Sequence, residues 1–230
     1  MDRRPAIVLL AIATVLVLAF ALIVFLNRPA SRSATSTSTT GASASVAENA
    51  RSSSGFDGAL LPSGVGAPNF TLTDQLGRHV SLSQYRGQVT ILTFLSTTCQ
   101  ETCPLIAQQI RGALDELGGN PVSMLIVSAD PAADTPAAVR RFLGEAALDG
   151  RAEYLTGTRA ELQSVWRAYD IVPAQLRDAN SPHAASVLLI DRAGQKRDLF
   201  QVEELTPEAL THDIRKLDGD PTHPDTLAGR

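Results

Sequence analysis

Cysteine is scarce in this chain, with two residues in 230. Two cannot staple a fold of this length, so a disulfide-rich scaffold is excluded. Positive charge is not in excess either. Twenty Lys and Arg stand against 24 Asp and Glu, for a net charge of −4. That leaves no electrostatic case for nucleic acid, which needs a basic surface. Aromatic residues make up 5%, including one Trp, and there are four His. What is present is ordinary for a globular protein: 44% hydrophobic and 19% charged residues. These values exclude wholesale disorder. The length suits one domain with residues to spare.

Those averages conceal distinct regions. Ala6 to Leu26 is a run of 21 residues, apolar but for Thr14. As a helix it reaches about 32 Å, enough for a hydrocarbon core of about 30 Å. A cleavable signal peptide has a shorter apolar core of about 7–15 residues. Residues 1–26 are therefore expected to be an uncleaved signal anchor with a transmembrane helix over 6–26. Arg3 and Arg4 before the run and Arg28 and Arg32 after it nearly balance the charge bias; the very short N-terminal flank is expected to stay in the cytoplasm, so that a single-pass membrane protein exports its C-terminal part. Residues 27–66 are rich in Ser, Thr, Ala and Gly, and Ser31 to Ser45 holds no apolar residue larger than Ala. Such a segment cannot bury enough surface to offset its ordering entropy, and reads as a flexible tether. Residues 67–217 have globular patterning, and 218–230 read as a loose tail.

Within 67–217, Phe70–Leu72 and His79–Leu82 flank a turn at Asp74–Gly77 and read as a hairpin. Val89–Leu95, Val122–Val127 and Val187–Ile190 are apolar, β-branched runs and should be buried strands; Leu199–Val202 is a possible edge strand. Helices are expected from Pro104 to Leu117, from Pro136 to about Ala147, after Thr158 to about Tyr169, and from Pro207 to about Leu217. Trp166 and Tyr169 are expected to pack in the core. This order predicts an α/β fold: a thioredoxin-like mixed sheet flanked by helices, preceded by one transmembrane helix and a flexible linker.

Both cysteines, Cys99 and Cys103, follow the strand Val89–Leu95 and open the next helix. Ligands in α/β sheets collect at the carboxyl ends of strands, and a helix N-terminus favours a thiolate. The location suits redox chemistry or soft-metal binding. A structural disulfide or inert buried thiols are the plainer readings. In a thioredoxin-like sheet the loop entering Val187–Ile190 lies beside the cysteine loop, which makes His183 a third candidate. Two thiolates and an imidazole suit Cu(I), or Zn(II) with a fourth ligand. Glu101 reads as a solvated carboxylate at the helix start. His79, His212 and His223 read as hairpin, helix-surface and tail residues. The sequon Asn69-Phe70-Thr71 falls in an expected strand and is discounted.

Several segments together resemble the SCO/SenC family of copper-binding, membrane-anchored, thioredoxin-like proteins. Phe70 to Leu82 resembles its opening F-x-L-x-D-x-x-G segment. Thr97-x-Cys99-x-x-x-Cys103-Pro104 resembles its metal and redox motif. Ser128-Ala129-Asp130-Pro131 with Asp134-Thr135-Pro136, then Leu155-Thr156-Gly157, then His183 with the strand to Gly194, are similar to further family segments. The resemblance implies that Cys99, Cys103 and His183 bind copper, with Cu(I) favoured. It also implies delivery of copper to the binuclear copper site of cytochrome c oxidase, or upkeep of that site's thiols. The implied partners are the copper-site subunit, an upstream thiol reductant or copper donor, and the membrane. The alternatives are a membrane-anchored thiol–disulfide oxidoreductase using Cys99 and Cys103 as a redox dithiol, and a copper or redox sensor. The CxxxC spacing argues against a standard CxxC enzyme. A peroxidase is disfavoured because Leu92 and Ser96 replace the Pro and Thr its motif requires.

Overall fold

The computed structural model describes residues 55–119, 122–174 and 185–219. The expected anchor at 6–26, the tether up to residue 54, His183 and the tail from 220 lie outside the described residues. Among the described residues no helix is long and apolar enough to cross a membrane.

In chain order the strands are β1 (Ala59–Leu60), β2 (Thr71–Thr73), β3 (His79–Ser81), β4 (Val89–Leu95), β5 (Val122–Ser128), β6 (Glu153–Leu155), β7 (Ser186–Ile190) and β8 (Lys196–Gln201). The α-helices are α1 (Thr102–Leu117), α2 (Pro136–Glu145), α3 (Arg159–Ala168) and α4 (Pro207–Gly219). Six strands form one sheet in the order β1-β8-β7-β4-β5-β6, and β2 and β3 form a separate hairpin. β4 pairs parallel with β5 and antiparallel with β7, so the sheet is mixed as expected. Every residue of β4 is buried, which its run of Val, Ile, Leu, Phe and Thr permits. Helices α1 and α4 pack against each other. Gly112 permits the close approach, because a Cβ there would lie 2.8 Å from Pro207 Cγ. Phe142 of α2 meets Tyr154 of β6 edge to face. Tyr169, just past α3, packs against Phe70 and Phe94.

The local signals in the sequence set these boundaries. Thr158 and Glu161 form the expected capping box of α3. Thr135 caps α2 by accepting from Ala138 N–H at 3.3 Å, with Pro136 in the first turn. Gly118 ends α1 in the left-handed conformation at φ 62°. The hairpin turn is built on buried Asp74. Its carboxylate accepts from Leu76 N–H at 2.9 Å, Arg78 N–H at 2.8 Å and Arg78 Nε at 2.6 Å.

Four elements differ from expectation. The strand expected at Leu199–Val202 runs Lys196–Gln201, and it lies between β7 and β1 rather than at the sheet edge, because the entry segment adds β1 outside it. α1 begins at Thr102, two residues before Pro104, because first-turn amides have no intrahelical acceptor and Pro104 loses nothing there. α2 ends at Glu145, and Ala147 follows at φ 54°. The stretch expected as tether is packed over its last part. Phe56 is buried, Ala59–Leu60 pairs with β8, and Gly66 bridges to Gln195. Phe56, Leu60 and Leu61 supply apolar surface that the polar composition upstream does not.

Candidate metal and redox centre

The central strand delivers the chain to the site. β4 ends at Leu95, and Ser96 to Glu101 lead into α1. Cys99 N–H donates to the Ser96 carbonyl at 3.2 Å, closing a tight turn. Ser96 and Thr98 hydroxyls lie 2.8 Å apart, and Thr98 N–H donates to Ser96 Oγ at 3.2 Å. Cys99 is partly exposed and Cys103, in the first turn of α1, is buried. The two form a disulfide, with Cα atoms 5.7 Å apart. Cys103 N–H donates to Cys99 Sγ at 3.1 Å. The first-turn amide of α1 is therefore aimed at the more accessible sulfur, where it would favour a thiolate after reduction. Glu101 is exposed at the N-cap of α1 and makes no capping hydrogen bond through its side chain.

Beneath this loop lies a buried polar hub that residue-by-residue sequence reasoning missed. Asp134 is 4% exposed. Its Oδ1 accepts from Thr97 N–H and Thr97 Oγ1, both at 2.8 Å. Its Oδ2 accepts from Ser128 Oγ at 2.6 Å and lies 2.9 Å from the Tyr154 hydroxyl. That hydroxyl also stands 3.1 Å from the Leu95 carbonyl, at the end of β4. Burial first, then the Asp134 carboxylate, hold the Tyr154 phenol well above its usual range, so it stays a neutral donor. Trp166 Nε1 donates to the Ser128 carbonyl at 3.0 Å. One carboxylate thus ties the cysteine loop (Thr97) to β5 (Ser128) and β6 (Tyr154). The one sequence clue was the family segment that contains Asp134.

The other side of the site is bounded by β7. Thr93 pairs with Val187, and Thr93 Oγ1 donates to the Ser186 carbonyl at 2.8 Å. β7 therefore starts at the cysteine end of the sheet, as the sequence reading of the His183 loop required. His183 itself lies three residues before β7 and outside the described residues. Cys99 and Cys103 are brought together; nothing described places His183 with them. His79 stands at the start of β3. Asn69 Oδ1 accepts from Ser83 N–H at 2.9 Å and Ser81 Oγ at 3.1 Å, so its amide is engaged in the fold. A cleft of about 850 Å³ opens past the end of β5, lined by Asp130, Arg159, Trp166 and Arg167 among others.

The family model described as SCO1/SenC matches residues 62–218. The bovine protein SCO2 homolog, mitochondrial, is 28% identical over 167 residues, covering 69% of this chain and 62% of the relative. The chain thus spans about three fifths of that relative's length. Among solved structures, Bradyrhizobium japonicum ScoI with copper bound is 27% identical with a TM-score of 0.51. That match covers 66% of this chain and 99% of the other. BsSco, a member of the Sco family of cytochrome c oxidase assembly proteins in which a disulfide switch was identified, shares the fold. It has 22% identity and a TM-score of 0.56, over 68% of this chain and 95% of the other.

Proposed function

The chain belongs to the SCO1/SenC family, and from that premise we propose that it is a copper-handling protein of cytochrome c oxidase assembly. In this reading Cys99, Cys103 and His183 hold Cu(I), and residues 6–26 anchor the domain to a membrane with its C-terminal part exported. The observation that carries the reading is the cysteine loop. Both cysteines of the chain stand just past the end of the central strand, with a helix amide on Cys99 Sγ at 3.1 Å. Copper is the cargo, and two thiolates with one imidazole form a soft, low-coordinate donor set suited to it.

Binding through thiolates first requires the disulfide to open. A reductant thiolate would attack Cys99, the more accessible sulfur. Cys103 would leave as a thiolate and take up a proton. A second reductant thiol would then release Cys99, so that two electrons and two protons convert the disulfide to the dithiol. The upstream thiol reductant is implied by this balance. Asp134 keeps Thr97, and with it the loop, in place while the cysteines change state.

The disulfide itself favours a second reading, in which the protein reduces the cysteines of the recipient copper site rather than delivering metal. Two experiments separate them. Cu(I)-loaded protein is mixed with a reduced copper-site subunit, and metal-free dithiol protein with an oxidised one. Metal appearing in the recipient in the first mixture supports delivery. Recipient thiols appearing only in the second support the reductase reading. Neither event would contradict both.

A further inference from the structure

Away from the cysteines, the segment entering the domain is held down by two buried carboxyls. Phe56 and Gly58 are buried, and Ala59–Leu60 pairs with β8. Asp57 N–H donates to Asp213 Oδ1 and Oδ2 at 3.0 and 2.9 Å, and Gly58 N–H donates to Oδ2 at 3.0 Å. Asp213 of α4 is therefore the acceptor that docks the segment. Behind it stands Asp198 of β8, and both residues are fully buried. Gly58 lies directly over the Asp198 carboxyl: a Cβ there would come within 2.5 Å of its Oδ1 and 2.6 Å of its Oδ2. The entry segment is thus the cover that keeps water from this carboxyl.

The Asp198 carboxyl cannot be charged in that place without repelling its neighbour. Leu199 N–H donates to its Oδ1 at 2.9 Å, and no N–H or hydroxyl of the described residues donates to its Oδ2. It shares a hydrogen bond with the Asp213 carboxyl instead. Two carboxylates hold no donor between them, so that bond needs a proton. Asp213 already accepts amides through both oxygens, which leaves the proton to Asp198. Other charged groups face the pair from two elements. Asp57, in the entry segment, is about half exposed, with its Oδ2 3.2 Å from His212 Nδ1. His212 is half exposed on α4, as expected of a helix-surface residue, and its Nδ1 also lies 2.8 Å from Asp213 Oδ1. Lys216, one turn further along α4, stands 4.5 Å over the Phe56 ring. β7, the other neighbour of β8, brings no ionisable side chain.

We propose that the proton shared by Asp198 and Asp213 is a latch: while it is held the entry segment stays docked, and its loss releases residues 55–60 from the fold. Ionised Asp198 places a second buried negative charge against the acceptor of the segment's amides, and burying such a pair is costly. Burial first, then the hydrogen bond and charge of Asp213, push the docked Asp198 carboxyl up to about 8. Once the segment leaves, water reaches the carboxyl, which returns toward the ordinary value near about 4. Between these values the docked form therefore binds one more proton than the released form. Docking is strongest at the acid end of this window, weakens by up to about tenfold per pH unit as pH rises, and levels off above about pH 8. Residues 55–60 lead in from the stretch expected as tether, so release lengthens that connection by up to about 20 Å. In the membrane-anchored reading this sets how far the cysteine centre reaches; the latch itself does not depend on that reading.

The test is amide hydrogen exchange of the full-length protein with its disulfide closed, from about pH 5 to about pH 9, with intrinsic exchange rates divided out. Protection of residues 55–60 is expected to fall at least about tenfold between about pH 5 and pH 8, while β4 stays more protected at every pH. Asp198→Asn, whose amide donates to Asp213 at every pH, removes most of that fall. His212→Gln keeps it, although an imidazole also titrates in this range. Circular dichroism verifies that both variants stay folded, and the wild-type pH series stands without them. Protection that does not change with pH overturns the proposal, as does a fall that persists in Asp198→Asn or disappears in His212→Gln. Equal protection of residues 55–60 and β4 also overturns it, because the segment then leaves only when the whole domain unfolds.

Discussion

Cys99 and Cys103 are four residues apart, yet they face different surroundings. Cys99 is partly exposed and receives an amide hydrogen bond, while Cys103 is buried in the first helical turn. After reduction, alkylation at neutral pH should modify Cys99 about tenfold or more faster than Cys103. Peptide mass mapping of a time course checks this, and equal rates would contradict the assignment of Cys99 as the sulfur that reductants meet. Asp134 is the other decisive residue. Asp134→Ala leaves the Ser128 hydroxyl and the Thr97 amide without their acceptor and the Tyr154 hydroxyl with the Leu95 carbonyl alone, and should cost about 2–4 kcal/mol in urea unfolding. Thr97→Val removes one hydroxyl arm and should cost about 1 kcal/mol. It should also shift the dithiol–disulfide equilibrium against glutathione. A loss of stability with no redox shift in Thr97→Val would mean that the hub only holds the fold together.

At the scale of elements, the hairpin turn makes a prediction with a definite pH sign. Burial works to raise the Asp74 carboxyl. The Arg78 amide and guanidinium and the Leu76 amide outweigh it and hold the group below the usual range. A depressed carboxyl contributes stability above its unfolded range, and that contribution is lost as pH falls through the folded value. Asp74→Asn should therefore cost about 1–2 kcal/mol at neutral pH and flatten the decline in stability below about pH 4. Urea midpoints across that range measure both effects. The same turn was legible in the sequence, because Asp-x-x-Gly between alternating strands is a local signal. So were β4, the capping box of α3 and the end of α1 at Gly118, each set by neighbours in sequence. The hub around Asp134 was not legible from spacing, because its donors come from positions 97, 128 and 154. Nothing in their order says that they converge. The partnership of His212 with Asp57 escaped for the same reason: 155 positions separate them (212 − 57).

For the whole molecule, the entry segment is part of the fold. Phe56 is buried beneath Lys216, and β1 completes the edge of the sheet. A chain beginning at Ala67 should be less stable than one beginning at Gly55 by about 2–3 kcal/mol, chiefly from the lost Phe56 burial. Chemical denaturation of the two compares them, and equal stability would show that the first strand contributes nothing. The polar composition upstream hid this boundary, since a few apolar residues after a Ser- and Ala-rich stretch carry little weight in sequence. The central claim concerns the cysteine centre. Its most direct test is an anaerobic Cu(I) titration of the full-length protein against a competing chelator, in the reduced and disulfide states, beside Cys99→Ser and His183→Ala. The account predicts one tight equivalent in the reduced protein that is absent from the disulfide form and lost or strongly weakened in both variants. No specific Cu(I) binding by the reduced protein, or binding unchanged by either substitution, would contradict it.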